Sequence, residues 1–284
     1  MGDQELGGVQ APELGGEQDL ESLYTGDDIK EYSLIRFVSE DGIARITLDR
    51  PPANVISVDM MAEINHALES LEYAKEVKLI VISGAGKYFS AGFELQDHLG
   101  DRAYMMLENF RRVFENLAKV DKPTLAVVAG PALGAGSMLA GACDMVLAGP
   151  AARFGHPEIK GGVFNTVAAA LLPRIVGQKK AFDMMLSGTA LSAAEAERIG
   201  LITRAVADDK LEAETEAVVQ RFREASAPIV QAVRRALVAA WDLPFGEALR
   251  HAEDVYLNQL MATEDLAEGL KAITEKRKPA WKNR

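Results

Sequence analysis

Two short segments of the chain carry residue types that do chemistry together. The first is Gly130-Pro-Ala-Leu-Gly-Ala-Gly136, set between an apolar run, Thr124 to Ala129, and a small-residue run, Ser137 to Cys143. A strand, a glycine turn and a helix start leave backbone N–H groups without intrahelical partners, and such groups hold an oxyanion. The second is Phe154-Gly-His-Pro-Glu158, which places one carboxylate among apolar residues and glycines. A cradle for a negative oxygen beside one sequestered carboxylate suits proton transfer next to a carbonyl.

A second glycine site, Ser90-Ala-Gly-Phe93, follows another apolar run. If both runs are neighbouring parallel strands, each delivers a backbone N–H near its C-terminal end, where open α/β sheets bind ligands. Gly134-Ala-Gly136 also imitates a dinucleotide turn, but the third glycine position is Leu139 and the next strand ends at Gly149, not at an acidic residue. No Lys-Ser or Lys-Thr pair follows these glycines, which excludes a phosphate-binding loop. The four histidines, His66, His98, His156 and His251, lack ligand spacing with Asp, Glu or Cys, so no metal site is expected. The single Cys143 lies in a small-residue helical run and reads as packing.

These segments need a scaffold, and the chain supplies an alternation of strands and helices. Leu34 to Val38 and Ile43 to Leu48 read as strands joined by the acidic turn Glu40-Asp41-Gly42. Ser57 or Asp59 caps a helix to about Tyr73 with Met60, Ile64, Ala67, Leu68 and Leu71 on its apolar face. Lys78 to Ser83 is a strand buried on both faces, and a helix follows from about Arg102 to Val120. Thr124 to Ala129 and Met145 to Ala148 are further strands, with a helix to about Cys143 between them. Beyond Val167 the chain reads as helices, including Pro244 to Ala262 as one, with only Leu201 to Val206 as a strand. Ser192 and Thr263 carry N-capping signals. The fold class is α/β with a largely parallel sheet.

The 284 residues are 48% hydrophobic and carry a net charge of −11, which argues against a nucleic-acid partner. No apolar run is long enough to span a membrane, the N-terminus shows no secretory signal core, and one cysteine suits a reducing compartment. A cytoplasmic location without a membrane partner is therefore expected. Residues 1–30 read as a flexible acidic tail, too poor in large apolar residues to order itself. A core over 31–226 and a C-terminal helical region over 227–284 complete the expected organisation.

The chain resembles the crotonase superfamily, the enoyl-CoA hydratase and isomerase family. The resemblance rests on Asp49-Arg-Pro-Pro-Ala-Asn54, Tyr88-Phe-Ser-Ala-Gly-Phe-Glu-Leu95, Lys122-Pro-Thr with Gly130 to Gly136, Phe154 to Ile159, Leu186 to Ser192 and Glu275-Lys-Arg-Lys278, in order over residues 33–284. It implies a spiral of ββα units, a C-terminal helical trimerisation region, and a homotrimer or dimer of trimers. It also implies a coenzyme A thioester whose carbonyl sits between the N–H groups of Phe93 and Ala135, with no cofactor beyond the coenzyme A of the substrate. Hydratases of this kind use two glutamates. Glu158 matches the second, whereas Met138 stands at the first. Ala53 and Val55 flank the adenine or pantetheine by position, and Ala91 joins them as a substrate-binding residue. Lys276 matches a position that reaches the nucleotide, often from a neighbouring subunit; a solvated basic tail is the alternative.

Around this pattern several residues keep two readings. His98 either lines the acyl pocket or orients water, or else it is a surface residue at a helix start. Phe164 and Phe93 are acyl-pocket walls or core. His156, two residues before Glu158, reads as a hydrogen-bonding neighbour of the glutamate. Asn165 and Thr166 are candidates to hold water where a carboxylate is missing. Gln96 to Asp101, Gly162 to Phe164 and Tyr256 to Thr263 further resemble cyclic dienoyl-CoA hydratases, which act on cyclohexa-1,5-diene-1-carbonyl-CoA. The leading function is reversible hydration of an α,β-unsaturated acyl-CoA, cyclic or linear. An enoyl-CoA isomerase working with one glutamate, favoured by Met138, and a non-catalytic acyl-CoA-binding scaffold are the alternatives.

Overall fold

The apolar runs of the N-terminal two thirds form one six-stranded sheet in a computed structural model that describes residues 31–284. The acidic segment 1–30, expected as a tail, lies outside the described residues. Nine strands are described: β1 (Ile35–Glu40), β2 (Ile43–Leu48), β3 (Leu79–Gly84), β4 (Thr124–Val128), β5 (Ala132–Leu133), β6 (Met145–Ala148), β7 (Arg153–Gly155), β8 (Leu191–Ser192) and β9 (Arg204–Ala205). The large sheet runs β1-β2-β3-β4-β6-β9 and is parallel from β2 onward. β1 joins it antiparallel through a two-residue turn in which Asp41 and Gly42 both have positive φ, the geometry that matches strand twist in a tight hairpin.

Strand periodicity sends alternate residues to opposite faces, and both faces are covered. Ile46, Leu48, Ile80, Ile82, Ala126, Val128, Val146 and Ala148 belong to the main core. Ile43, Leu79, Val81, Leu125 and Leu147 belong to a second cluster on the other face. Helices α1 (Val58–Glu72) and α2 (Asp101–Lys119) bury Met60, Ile64, Leu68, Phe110 and Val113 in the main core. Ser57, not Asp59, caps α1, its side chain accepting the Met60 N–H.

The remaining helices are α3 (Ala135–Gly141), α4 (Thr166–Val176), α5 (Gln178–Ser187), α6 (Ala193–Arg198), α7 (Leu211–Arg223), α8 (Ala227–Ala240), α9 (Phe245–Asp254) and α10 (Glu264–Thr274). Ser192 and Glu195 close a reciprocal capping box on α6, and Thr263 caps α10. α7 brings Val218 and Val219 to the second cluster.

A second, small sheet, β5-β7-β8, was not legible in the sequence, because strands of two or three residues show no period. Isolated bridges Ser90–Ala132 and Ile56–Phe93 continue this layer. Successive turns of the chain thus repeat one unit. Each gives a strand to the large sheet, then a short pairing in the second layer, then a helix: β2, Ile56 and α1; β3, Ser90 and Phe93, and α2; β4, β5 and α3; β6, β7 and α4. This is the expected spiral of ββα units.

Four expectations need correction. The helix expected over 244–262 ends at Asp254; a π turn over Val255–Gln259 and a 3₁₀ turn over Leu260–Ala262 follow. The strand expected over 201–206 pairs only at Arg204–Ala205. The helix after the glycine turn stops at Gly141. Phe164 is 61% exposed, so it is not a core residue.

Candidate active site

The two glycine loops lie side by side because the second layer pins them together. Ser90 O accepts the Leu133 N–H at 2.9 Å, and Pro131 O accepts the N–H groups of Phe89 and Ser90. Gly155 O accepts the Gly134 N–H at 2.8 Å, which ties the glycine turn to the strand that leads into Glu158. On the other side Ala53 O accepts from Ala91 N, Ile56 N donates to Gly92 O and Glu94 N donates to Ile56 O, all at 2.8–2.9 Å. Ala53, Val55 and Ala91, taken from the resemblance as substrate-binding positions, thus form one half-buried ledge beside the Phe93 loop.

The Asp49 to Asn54 motif builds that ledge. Asn54 is 1% exposed, accepts the Arg50 N–H and donates to Ala85 O and Tyr88 O. Arg50 donates to Val55 O and to the Glu94 carboxylate. Asp97 is fully buried and accepts from Val58 N at 2.9 Å and from the Arg102 guanidinium at 2.7 Å. It anchors the loop that carries His98, whose half-buried ring meets Phe93 edge-on at 5.7 Å. Phe93 in turn stands edge-on to Phe110 at 4.6 Å. The structural parts played by Asn54 and Asp97 were not read from the sequence, where both stood only within quoted motifs.

The N–H groups of Phe93 and Ala135 donate to no protein group among the described residues. Their loops are in close approach. A methyl group at Gly92, where φ is +106°, would lie 3.2 Å from Leu133 O and 3.8 Å from Ala135 N. Gly134 is held at φ +54° and ψ −120°, a region that suits glycine. A methyl there would sit 2.7 Å from Glu158 Oε1. The glutamate therefore rests directly against the glycine turn that precedes Ala135.

Glu158 lies in a short 3₁₀ turn, Pro157–Gly161, after β7. Its side chain is 12% exposed, and neither carboxylate oxygen has a hydrogen-bond partner. His156 is the only basic side chain within 4.0 Å of it among the described residues, with Nδ1 3.8 Å from Oε1. Both nitrogens of His156 are also buried without partners, as are Ser137 Oγ and Asn165 Nδ2. Asn165 uses its other side-chain atom to cap α4 by accepting the Ala168 N–H. Thr166 is exposed and shares none of this burial. Buried polar atoms are nearly always paired in folded proteins, so an unpartnered carboxylate beside an unpartnered imidazole marks a place suited to receive polar atoms from elsewhere. Ser137 was missed in the sequence; a serine in a small-residue helix looks like packing.

The other sequence-derived positions are placed as follows. Met138 is fully buried, one helical turn beyond Gly134, and its N–H bonds Gly134 O. Lys276 is exposed just after α10, and no hydrogen bond or ion pair of one chain joins it to the loops around Glu158. Cys143 is buried, its thiol donates to Leu139 O, and burial pushes its pKa up to about 12. No group of three or more His, Cys, Asp or Glu side chains suited to a metal ion occurs among the described residues. No helix among them is long and apolar enough to cross a membrane.

Comparison with known proteins agrees with this geometry. The family model described as enoyl-CoA hydratase/isomerase matches residues 38–284. A probable enoyl-CoA hydratase of Rhizobium meliloti is 36% identical over 256 residues, which cover 89% of this chain and 99% of the relative. The cyclohexa-1,5-dienecarbonyl-CoA hydratase of Thauera aromatica is 34% identical over 249 residues, covering 87% and 96%. The crystal structure of an enoyl-CoA hydratase from Mycobacterium smegmatis superposes with a TM-score of 0.83 at 30% identity, covering 88% of this chain and 99% of that one. A match this long, on a spiral that brings two free N–H groups and one unpartnered glutamate to the same turn, makes the chain a member of the enoyl-CoA hydratase/isomerase family, the crotonase superfamily.

Proposed function

We propose that the protein adds water reversibly to an α,β-unsaturated acyl-CoA thioester. The observation that carries this reading is the Glu158 carboxylate, buried against Gly134 with both oxygens unpartnered. A carboxylate left without protein donors is costly unless it has a proton or a polar ligand to handle. In this reading the thioester oxygen accepts from the N–H groups of Phe93 and Ala135, which stabilise the enolate that forms as the double bond is attacked. Glu158 takes a proton from water and returns it to the α-carbon. Ala53, Val55 and Ala91 line the path of the coenzyme A arm, while His98, Met138 and Phe164 bound the acyl group. The family relationship supports the thioester, and the unpartnered carboxylate supports the proton transfer.

The acyl group is proposed to be compact and cyclic, after the relative from Thauera aromatica and the local likeness around His98. The assembly is proposed to be a homotrimer or a dimer of trimers. Leu237, Trp241, Phe245, Leu270 and Ile273, on or next to α8 to α10, are 53–83% exposed in one chain and are large apolar side chains that a neighbouring subunit would cover. A neighbouring subunit then offers Lys276 to the nucleotide. The reaction needs no cofactor beyond the coenzyme A of its substrate, and a cytoplasmic location fits that substrate. The second reading, enoyl-CoA isomerisation, is favoured by one observation: Met138 places an apolar side chain where a second carboxylate would help hold water.

Incubation with a panel of linear and cyclic enoyl-CoA esters, followed by intact-mass analysis and NMR, tests the proposal. A product heavier by one water supports hydration. Double-bond migration without a mass change supports the isomerase, and binding without turnover supports a scaffold.

A further inference from the structure

With Met138 buried and apolar, the water of a hydration reaction lacks its second carboxylate, yet the site still holds a second polar side chain. His156 is 2% exposed and packed beside the glutamate, with neither ring nitrogen satisfied. Its Nδ1 stands 3.8 Å from Glu158 Oε1. That separation is too long for a direct hydrogen bond, and because none of these atoms is open to solvent, a water in contact with both requires the two side chains to part. A buried imidazole with two orphan nitrogens has no structural account, since an apolar side chain of similar size would fill the space without the desolvation cost.

We propose that His156 is a catalytic residue that holds the reacting water jointly with Glu158, in place of the missing second carboxylate; this inference rests on the hydratase reading above. A neutral imidazole carries one lone pair and the ionised carboxylate carries others. A water donating one O–H to each turns its own oxygen lone pair toward the β-carbon. In the step, the O–H bond facing Glu158 breaks and its proton moves to the carboxylate. The C–O bond forms at the β-carbon, and the π pair shifts to the thioester oxygen. The Glu158 proton then forms the new C–H bond at the α-carbon. His156 exchanges no net proton.

The test compares two reactions of the same enzyme. Hydration of the enoyl-CoA ester turned over by the unsubstituted enzyme needs a held water. Exchange of the α-proton of the matching saturated acyl-CoA in D₂O, followed by NMR, needs Glu158 alone. His156→Leu is expected to lower the hydration kcat by at least ~10²-fold, the usual cost of losing one aimed polar group at a reacting atom. Exchange is expected to persist. His156→Gln, which restores an acceptor oxygen, is expected to bring hydration back to within about tenfold, the worth of one imperfect hydrogen bond. If the leucine variant does not fold, His156→Met serves the same purpose with a more adaptable shape. Unchanged hydration in the apolar variant overturns the proposal. So does an equal fall in hydration and exchange, which reduces His156 to a support for Glu158, or a glutamine variant as slow as the leucine one. Should the unsubstituted enzyme add water to no ester while still exchanging α-protons, the hydratase reading fails first and the inference falls with it.

Discussion

Glu63 and Glu158 are both withdrawn from water, and the fold treats them in opposite ways. Glu63 on α1 accepts from Ser33 N and Ser33 Oγ at one oxygen and from Leu34 N and Ile35 N at the other, all within 3.0 Å. Every lone-pair direction has a donor, and the carboxylate pins the entrance of β1 to the helix. Glu158 has none of this. Its oxygens face a glycine turn and a histidine that is itself unsatisfied. Burial alone therefore does not separate a structural carboxylate from a chemical one; the account of its hydrogen bonds does. Asp97 and Asp265 fall on the structural side. Asp265 is fully buried and accepts from Ser226 Oγ, Lys282 N and Asn283 N, holding the C-terminal segment against α8.

The sharpest test of this contrast is to replace each glutamate by glutamine. Glu158→Gln keeps shape but carries no exchangeable carboxyl proton, and a lost general acid/base typically costs ~10²–10⁴ in rate. We expect kcat to fall by that factor, with acyl-CoA binding and melting temperature little changed. Steady-state kinetics and thermal unfolding check both halves. Near-normal turnover would remove Glu158 from the chemistry.

Gly134→Ala probes the same carboxylate from the other side. The added methyl would lie 2.7 Å from Glu158 Oε1, so the side chain must move by a sizeable fraction of an ångström. A misplacement near 1 Å can cost about 10²-fold in rate. Gly86 is a control, because its φ is +73° yet nothing lies within 4 Å of the position of a methyl. Both positions have positive φ, so both alanine variants carry a backbone cost, but only Gly134→Ala is expected to lose turnover per folded enzyme. Equal activity in the two folded variants would mean that the contact between turn and glutamate is incidental.

On the structural side, Glu63→Gln places an amide N–H₂ against backbone donors that now lack an acceptor. One buried unsatisfied group costs about 1–3 kcal/mol. The variant is expected to unfold at lower denaturant with kcat per folded enzyme unchanged. A kcat loss without a stability loss would reverse the assignment of the two glutamates.

Sequence reading reached the frame of the site because its motifs are local. Gly130 to Gly136 and Phe154 to Glu158 each pack a turn and its chemistry into a few consecutive residues, and the family resemblance points to Phe93 and Ala135. What it missed depends on contacts between segments far apart in the chain. The short strands β5, β7 and β8 have too few residues to show a period, yet their pairings bring Gly134 to Gly155 and so to Glu158. The anchoring part of Asp97 depends on Val58 and Arg102, which close on it from separate segments. The break at Asp254 was hidden by a continuous apolar pattern, since a π turn keeps the helical texture while shifting its phase.

The smallest expected effect concerns the one thiol, which belongs with Glu63 rather than Glu158. Cys143 follows α3, the helix that begins at the glycine turn, and a cysteine so close to that turn invites a chemical reading. Its surroundings argue otherwise. The side chain is buried, its Sγ–H donates to Leu139 O, and burial, reinforced by the neighbouring Asp144 carboxylate, pushes its pKa up to about 12. At pH 8 only about 10⁻⁴ of such a thiol is thiolate, the form that reacts with alkylating agents. Iodoacetamide at pH 8 is therefore expected to leave the native protein unmodified, by intact mass, over a period that fully alkylates it in denaturant. Cys143→Ala is expected to retain full turnover, since the thiol is buried in the main core and bonds to Leu139 O of the preceding turn. Rapid alkylation of the folded enzyme with parallel loss of hydration would place Cys143 within reach of the substrate and break the division between satisfied and unsatisfied groups at its weakest point.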